Sequence, residues 1–404
     1  MGGKLARSYT DNPLRFFTFG LLGFLALLTT AMLLLQTPNP LSRQPFPDAH
    51  EYLNAADRLA HGQGYTTTVR DNLYSPHGQK AVNPPRFPPG TSLVLAPFAV
   101  IGTYPGNVEL GARLIVVGLV VATAWAAFTL AGWYAALLAA LFVSTSEFLV
   151  RNSQVVMSDA LAVLLIVLCL PLIRRPFRRS AYLLGLIAGY GFVVRESGLI
   201  VVVCVLLAAR GWDRLRVAVA AAVPIVGLAL YNWTTFGAPW RTGYTYWLDG
   251  FRIYSLNYVL RHPWPESDIY YAYSLRLFHL LGHNHAGYSA LEPNLWFYPL
   301  IVLGFSAVFG PPWIPFVGLI AAAWRWRLPE AQFTLLLAAL TALFYMPNFG
   351  QDARYMAGPC ILLTAWASAA LVIVARRVRL RHGGQSAEVF APSPMTATSE
   401  TAAS

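Results

Sequence analysis

Charged side chains are scarce in this chain: Asp, Glu, Lys and Arg make up 12% of its 404 residues, about half the share of a soluble domain. So few charges cannot cover a water-facing surface, which excludes an ordinary soluble globular fold. Cysteine is nearly absent as well. Cys169, Cys204 and Cys360 lie inside apolar runs, which argues against a disulfide framework and against a cysteine metal cluster. Acids are fewer than bases and the net charge is +11, yet no basic stripe accompanies a soluble fold, so nucleic acid is not a partner. No repeat relates the two halves, which counts against a transporter of the inverted-repeat kind.

What is abundant is apolar surface. Hydrophobic residues make up 56% of the chain, with a mean hydropathy of +0.50, and they come in long blocks rather than one-sided stripes. The fold expected is an all-α polytopic membrane protein. After a cytoplasmic N-terminus (1–15), the run 16–35 is long enough to span and reads as a retained signal anchor. Further spans follow at about 113–131, from the Gly132-Trp133 turn to Phe148, then 157–173, 181–194, 199–209, 217–231, 295–323 (bent at Gly310-Pro311-Pro312), 333–345 and 358–375. That makes about ten transmembrane helices within 16–375, with a basic tail (376–404) read as disordered from His382 onward.

Arginine sets the sidedness. The runs RRPFRR (174–179), RGWDRLR (210–216) and ARRVRLR (375–381) mark cytoplasmic ends. On this map 16 of the 29 Lys and Arg face the cytoplasm, whereas 13 of the 18 acids and seven of the eight histidines face outward. Two long extracytoplasmic loops, 36–111 and 233–293, hold most of them. The localisation expected is the cell (inner) membrane, with both termini cytoplasmic. Because both flanks of 181–209 are arginine-rich, this stretch is read as a hairpin with Arg195 and Glu196 at its outer tip. The apolar stretch 91–102 is too short to cross and is expected to lie along the outer interface.

The stretch FPDAHEYLNAADRLAHGQGY (46–65) opens the chemistry. Asp48 fits a helix N-cap, and Glu51 three residues later completes a capping box. Tyr52, Ala55, Ala56, Leu59 and Ala60 form one apolar stripe, which would rest on lipid or on the bundle, and Gly62 and Gly64 end the helix. A cap and a catalytic carboxylate are both open readings of Asp48.

Several pieces then occur in order: Asp48-x-x-x-Tyr52, GQGY ending at Tyr65, PPRFPPG (84–90), SQVVMSD ending at Asp159, NWTTFGAP (232–239) and QDARYMAGP (351–359). Together they resemble the GT-C superfamily of membrane glycosyltransferases, on the branch of the protein mannosyltransferases and aminoarabinose transferases. The resemblance covers roughly 15–375 and implies transfer of a sugar from a polyprenyl-phosphate donor to a glycan, lipid or protein acceptor at the outer membrane face. It also implies catalytic roles for Asp48 and Asp159, and substrate-binding roles for Tyr52 and Tyr355. Family members often have eleven to thirteen spans or an added extracytoplasmic domain, and neither is expected from these segments.

The residues read by themselves agree with that chemistry. A carboxylate can take the proton of an attacking hydroxyl, and arginines hold a departing phosphate bidentately. Arg86, Arg113, Arg151, Arg195 and Arg354 are the outer-face arginines available. Each also has a structural reading: Arg86 as an interfacial snorkel, Arg195 paired with Glu196, Arg354 paired with Asp352, and Asp159 as a cap on the fourth span. His279 and His283 at i and i+4, with His285, have metal-like spacing, but no further ligand is evident; neither a divalent metal nor another cofactor is supported. Between Trp233 and Tyr288, 15 of 56 residues are aromatic, as an interfacial belt or a sugar-binding floor requires. A lipid-linked sugar flippase is the rival function, with a non-catalytic assembly protein third.

Overall fold

The computed structural model describes residues 13–36, 47–69, 82–102, 104–174, 178–247, 254–256, 298–299, 301–305, 308–348 and 353–389. The three histidines and most of the loop 233–293 lie outside these, as do 37–46 and 70–81 of the first loop. Among the described residues the regular secondary structure is helical, with two isolated bridges, Thr67 with Asn83 and Tyr254 with Asn348.

The bundle begins with α1 (Pro13–Leu35), followed by α2 (Pro47–Ala60) and α3 (Gly90–Val100). Then come α4 (Gly106–Ala131), α5 (Trp133–Ser144), α6 (Glu147–Gln154), α7 (Ser158–Ile173), α8 (Arg178–Val194), α9 (Gly198–Ala208) and α10 (Trp212–Phe236). The rest are α11 (Gly243–Trp247), a π-helical turn (Ile301–Phe305), α12 (Ile314–Trp324), α13 (Pro329–Tyr345), a 3-10 turn (Ala353–Met356) and α14 (Ala357–Val389). Large apolar side chains on α1 and α10, such as Phe24, Leu27, Val223 and Leu230, are exposed, as lipid-facing helices require.

Thr18–Leu35, Gly106–Ala131, Trp212–Phe236 and Arg354–Val378 are each long and apolar enough to cross alone, and α5–α6 is a bent apolar pair with the length of a broken span or a re-entrant loop. The other expected spans are present as apolar helices too short for that test: α7, α8, α9, α12 and α13. At 1.5 Å per residue, the 16 residues of α7 and 11 of α9 rise roughly 24 and 17 Å, against a hydrocarbon core of about 30 Å. One end of each therefore stops short of the membrane surface.

The third span breaks earlier than the sequence suggests. Helix α5 ends at Ser144, and α6 leaves it at 60°, because Ser146 accepts a hydrogen bond from the Leu149 amide and caps a new helix. The bend at 310–312 is present: Gly310 and Trp313 have φ of 128° and 69°, which no helix can propagate. The last helix runs to Val389, past His382, where the sequence reading places a disordered tail.

Close packing comes from small residues. Added Cβ atoms at Gly185 and Gly189 on α8 would strike the backbone of Val217 and Ala221 on α10, and one at Gly318 on α12 would strike Leu363 on α14. A glycine every fourth residue is how helices approach closely in lipid, where apolar burial gives no drive between them. Helix α14 is the centre of the bundle, with 78% of its spanning window buried against 11% for α1. The stripe of α2 rests on protein: Ala49, Tyr52, Leu53 and Ala56 pack with Leu95 and Ala99 of α3, Val108 of α4 and Val155–Met157.

Candidate active site: two carboxylate–arginine centres at one end of the bundle

The first centre is built from α2 and the loop at 82–89. Helix α2 starts at Pro47, whose fixed φ suits a first helical position. Asp48 therefore lies inside the first turn and is not the N-cap. Its carboxylate accepts a 2.9 Å hydrogen bond from the Arg86 guanidinium, with its own side chain 23% exposed. Glu51 closes no capping box. It turns instead to the loop and accepts the backbone N–H groups of Arg86 and Phe87, with Arg86 Nε 3.9 Å from its second oxygen. Burial pushes the Glu51 carboxyl up to about 7, against the pull of Arg86.

That loop is pinned from three further sides. Thr67 and Asn83 exchange backbone hydrogen bonds of 2.7 and 2.9 Å, the Tyr65 hydroxyl donates to Phe87 O at 2.8 Å, and Trp247 Nε1 donates to Pro84 O at 2.8 Å. Gly243, at the start of α11, lies against the carbonyls of Pro85 and Arg86 with no room for a side chain. Phe87 stacks on Tyr52 with centroids 4.8 Å apart, and the Arg86 guanidinium carbon lies 4.5 Å from the Phe87 ring centroid.

The second centre is built from span ends far apart in sequence. Asp159, in the first turn of α7, is 2% exposed. It does not cap the helix: the N-cap position is Met157, with no side-chain bond. Its carboxylate pairs with Arg195, from the α8–α9 tip, and lies 3.9 Å from Arg354 of the 3-10 turn. Tyr355 sits between the two arginines, each guanidinium carbon 5.5 Å from its ring centroid, and stacks on Tyr345 at 4.0 Å and 4°. Tyr52 joins the two centres. Its hydroxyl hydrogen-bonds Ser158, next to Asp159, and it feels the charges of Asp48, Arg195 and Asp159; burial pushes its pKa up.

Of the residues singled out in sequence, the structure brings together Asp48, Tyr52 and Arg86, and Asp159, Arg195, Arg354 and Tyr355. Two arginines lie elsewhere. Arg151 pairs with Glu147 one turn earlier on α6, at 2.6 Å. Arg113 donates to the carbonyls of Leu34 and Gln36 at 3.0 and 3.1 Å, closing the end of α1. Arg195 pairs with Asp159, not with its neighbour Glu196. Asp352, read as a partner for Arg354, lies outside the described residues.

Three residues were missed. Glu51 was read as part of a cap. Glu196 is mostly buried, its carboxyl raised by burial against a hydrogen bond from Thr242. Tyr244 is partly buried where it feels Tyr52, Arg195, Asp48 and Glu196. Only the aromatic richness of 233–293 pointed towards Tyr244.

Below the second centre a groove runs between α7, α8, α9, α13 and α14. Arg195, Ser197, Tyr345 and Tyr355 line it along with aliphatic residues such as Leu165, Ile187 and Leu337. This pairing of basic and aromatic side chains with an apolar cleft suits an amphiphile with an anionic head.

No protein-family model and no curated protein sequence matches the chain. Solved structures do. ArnT from Cupriavidus metallidurans bound to undecaprenyl phosphate superposes with a TM-score of 0.55 and 14% identity over 93% of this chain and 66% of that one. The fold is GT-C. The Archaeoglobus fulgidus oligosaccharyltransferase in its apo form superposes with a TM-score of 0.51 and 11% identity over 91% of this chain. A structure of the oligosaccharyltransferase AglB from the same archaeon, with an inhibitory peptide and a dolichol-phosphate, gives 0.50 and 10% over 97% of this chain. The chain spans about half the length of the oligosaccharyltransferase, 52% of the apo chain, and less than two thirds of ArnT at 65%.

Proposed function

We propose that this GT-C chain is a glycosyltransferase that takes a sugar from a polyprenyl-phosphate carrier and passes it to an acceptor hydroxyl or amine at the extracytoplasmic face. One observation carries the reading: two carboxylate–arginine centres, joined by Tyr52, lie at one end of the bundle, the second of them opening on an apolar groove. The undecaprenyl phosphate in ArnT and the dolichol-phosphate in AglB are ligands of that chemistry.

In the proposed reaction the acceptor nucleophile attacks the anomeric carbon. The carbon–oxygen bond to the carrier phosphate breaks, and its electron pair stays on the phosphate oxygen. Asp48, partly exposed beside Arg86, takes the acceptor's proton. Arg195 and Arg354, at the mouth of the groove, and Arg86, from the first centre, neutralise the charge gathering on the phosphate. Asp159 holds the two arginines in place, and its negative charge favours an oxocarbenium-like centre nearby. The first part of the carrier's tail enters the groove, and the rest lies in the surrounding lipid.

The test uses purified protein with labelled polyprenyl-phosphate sugars. Appearance of free polyprenyl phosphate with labelled acceptor supports transfer. Movement of intact donor across a vesicle membrane without release of carrier phosphate would instead make the protein a flippase. Sidedness is tested separately: a cysteine at Thr66 should react with an impermeant thiol reagent in intact cells, and one at Arg214 should not.

A further inference from the structure

We infer that Glu51 is a positioning residue that sets the anion-binding geometry of Arg86. The inference rests on the transferase reading for the identity of the anion and goes beyond it in naming what controls the arginine. The grounds are geometric. A carboxylate has four lone-pair sites, and Glu51 uses them on the backbone N–H groups of Arg86 and Phe87, with the Arg86 guanidinium also within ion-pair reach. The other restraints on the loop, at Thr67, Tyr65 and Trp247, hold residues on either side of Arg86. Glu51 grips the backbone of Arg86 itself, from the same helix whose Asp48 holds the Arg86 guanidinium.

A purely structural anchor would not need to be a buried carboxylic acid. Glutamine would fill the same space without the cost of charge in a dry site. It would fail differently, however: its amide oxygen can accept one of the two N–H groups, while its NH2 would face the other donor. A carboxylate is the group that satisfies both amides and still attracts the guanidinium. The groups that face it are Asp48 on its own helix, Arg86 and Phe87 on the loop, and the Tyr65 ring; the facing helix α3 carries no titratable side chain. Its grip thus depends on its own ionisation and on few other groups.

The experiment measures binding of undecaprenyl phosphate to the full-length protein in nanodiscs at pH 6 and pH 8. Wild type, Glu51→Gln, Glu51→Asp and Arg86→Ala are compared, with folding checked by thermal unfolding. Glu51→Gln should weaken binding roughly tenfold at pH 8, the loss of one charge-assisted hydrogen bond, and approach Arg86→Ala. Wild type should lose more affinity from pH 8 to pH 6 than Glu51→Gln does. The variant corrects for ionisation of the lipid phosphate, whose second pKa is about 6.

A folded Glu51→Gln that binds as tightly as wild type at both pH values overturns the inference and leaves the transferase reading standing. If Glu51→Gln does not fold, Glu51→Asp decides: its carboxylate is one methylene short, and unchanged affinity overturns the inference. Equal failure of wild type and Arg86→Ala to bind the carrier overturns the transferase reading, and the assignment of Glu51 falls with it.

Discussion

The two charged centres are made of the same residue types but built in opposite ways. At the first, Asp48, Glu51 and Arg86 come from a helix and a loop outside the spans. At the second, Asp159, Arg195 and Arg354 come from the ends of spans, and assembly of the bundle alone brings them together. The exposures differ accordingly: the Asp48 side chain is 23% accessible and that of Asp159 2%. The closed carboxylate holds two guanidinium groups at the mouth of a groove. On the proposed reading, similar ion pairs divide into a reacting group, the open Asp48, and a scaffold, the enclosed Asp159, and accessibility is what separates them.

The strongest way to break this comparison is at Asp48. Asp48→Asn keeps a hydrogen-bond acceptor for Arg86 but has no basicity; transfer should fall roughly a hundredfold or more, with thermal stability near wild type. Asp48→Glu should retain some transfer. Wild-type turnover by Asp48→Asn, measured as release of carrier phosphate, would move the base elsewhere.

Loss of the carboxylate should act on folding at the other centre. Asp159→Ala strands Arg195 and Arg354 without their buried counter-charge, a loss of about 3–5 kcal/mol when one partner of a buried pair is removed. Asp48→Ala leaves Arg86 with Glu51 and should cost much less. Thermal unfolding in one detergent tests the order: equal destabilisation would mean that the two centres are not scaffold and reactant.

A smaller effect separates Glu51 from both. Below pH 4.5 its carboxyl is neutral in the folded and unfolded chains and costs nothing. As the pH rises from 4.5 to about 7, the unfolded chain ionises while the folded one holds its proton, so stability falls, by about 3 kcal/mol in all. Glu51→Gln does not titrate. Its stability relative to wild type should therefore improve from pH 5 to pH 8, and a pH-independent difference would refute the burial argument. The mildest probe is Gly243→Ala. Its new Cβ pushes the Pro85 and Arg86 carbonyls and should lower transfer a few-fold, while the second centre and its unfolding signal stay unchanged.

Much of the scaffold was legible in the sequence. Long apolar blocks and arginine runs report on local chain composition, and the bilayer acts on each block separately, so the helices at 181–194 and 199–209 and their tip at Arg195–Glu196 could be placed one by one. The candidate residues Asp48, Tyr52, Arg86, Asp159, Arg195, Arg354 and Tyr355 were named from motif order and sidedness. Their partners were not. Adjacency suggested Arg195 with Glu196, but neighbours at a hairpin tip point apart, and Asp159 lies 36 residues away. Arg113 and Arg151 looked equivalent to Arg86, because outer placement says nothing about which local carbonyl or acid reaches an arginine first.

By itself, then, the sequence determined that this chain enters a membrane, which of its segments are helices, and which end gathers the acids, since all three follow from the transfer energies of short segments. Only the tertiary structure decided that Asp48 remains open while Asp159 is enclosed, and that Glu51 grips a loop and does not cap its own helix. Those outcomes depend on distances between segments that are remote along the chain, set by glycine contacts such as Gly185 with Val217 and Gly243 with Arg86, and no local property of the residues encodes such distances.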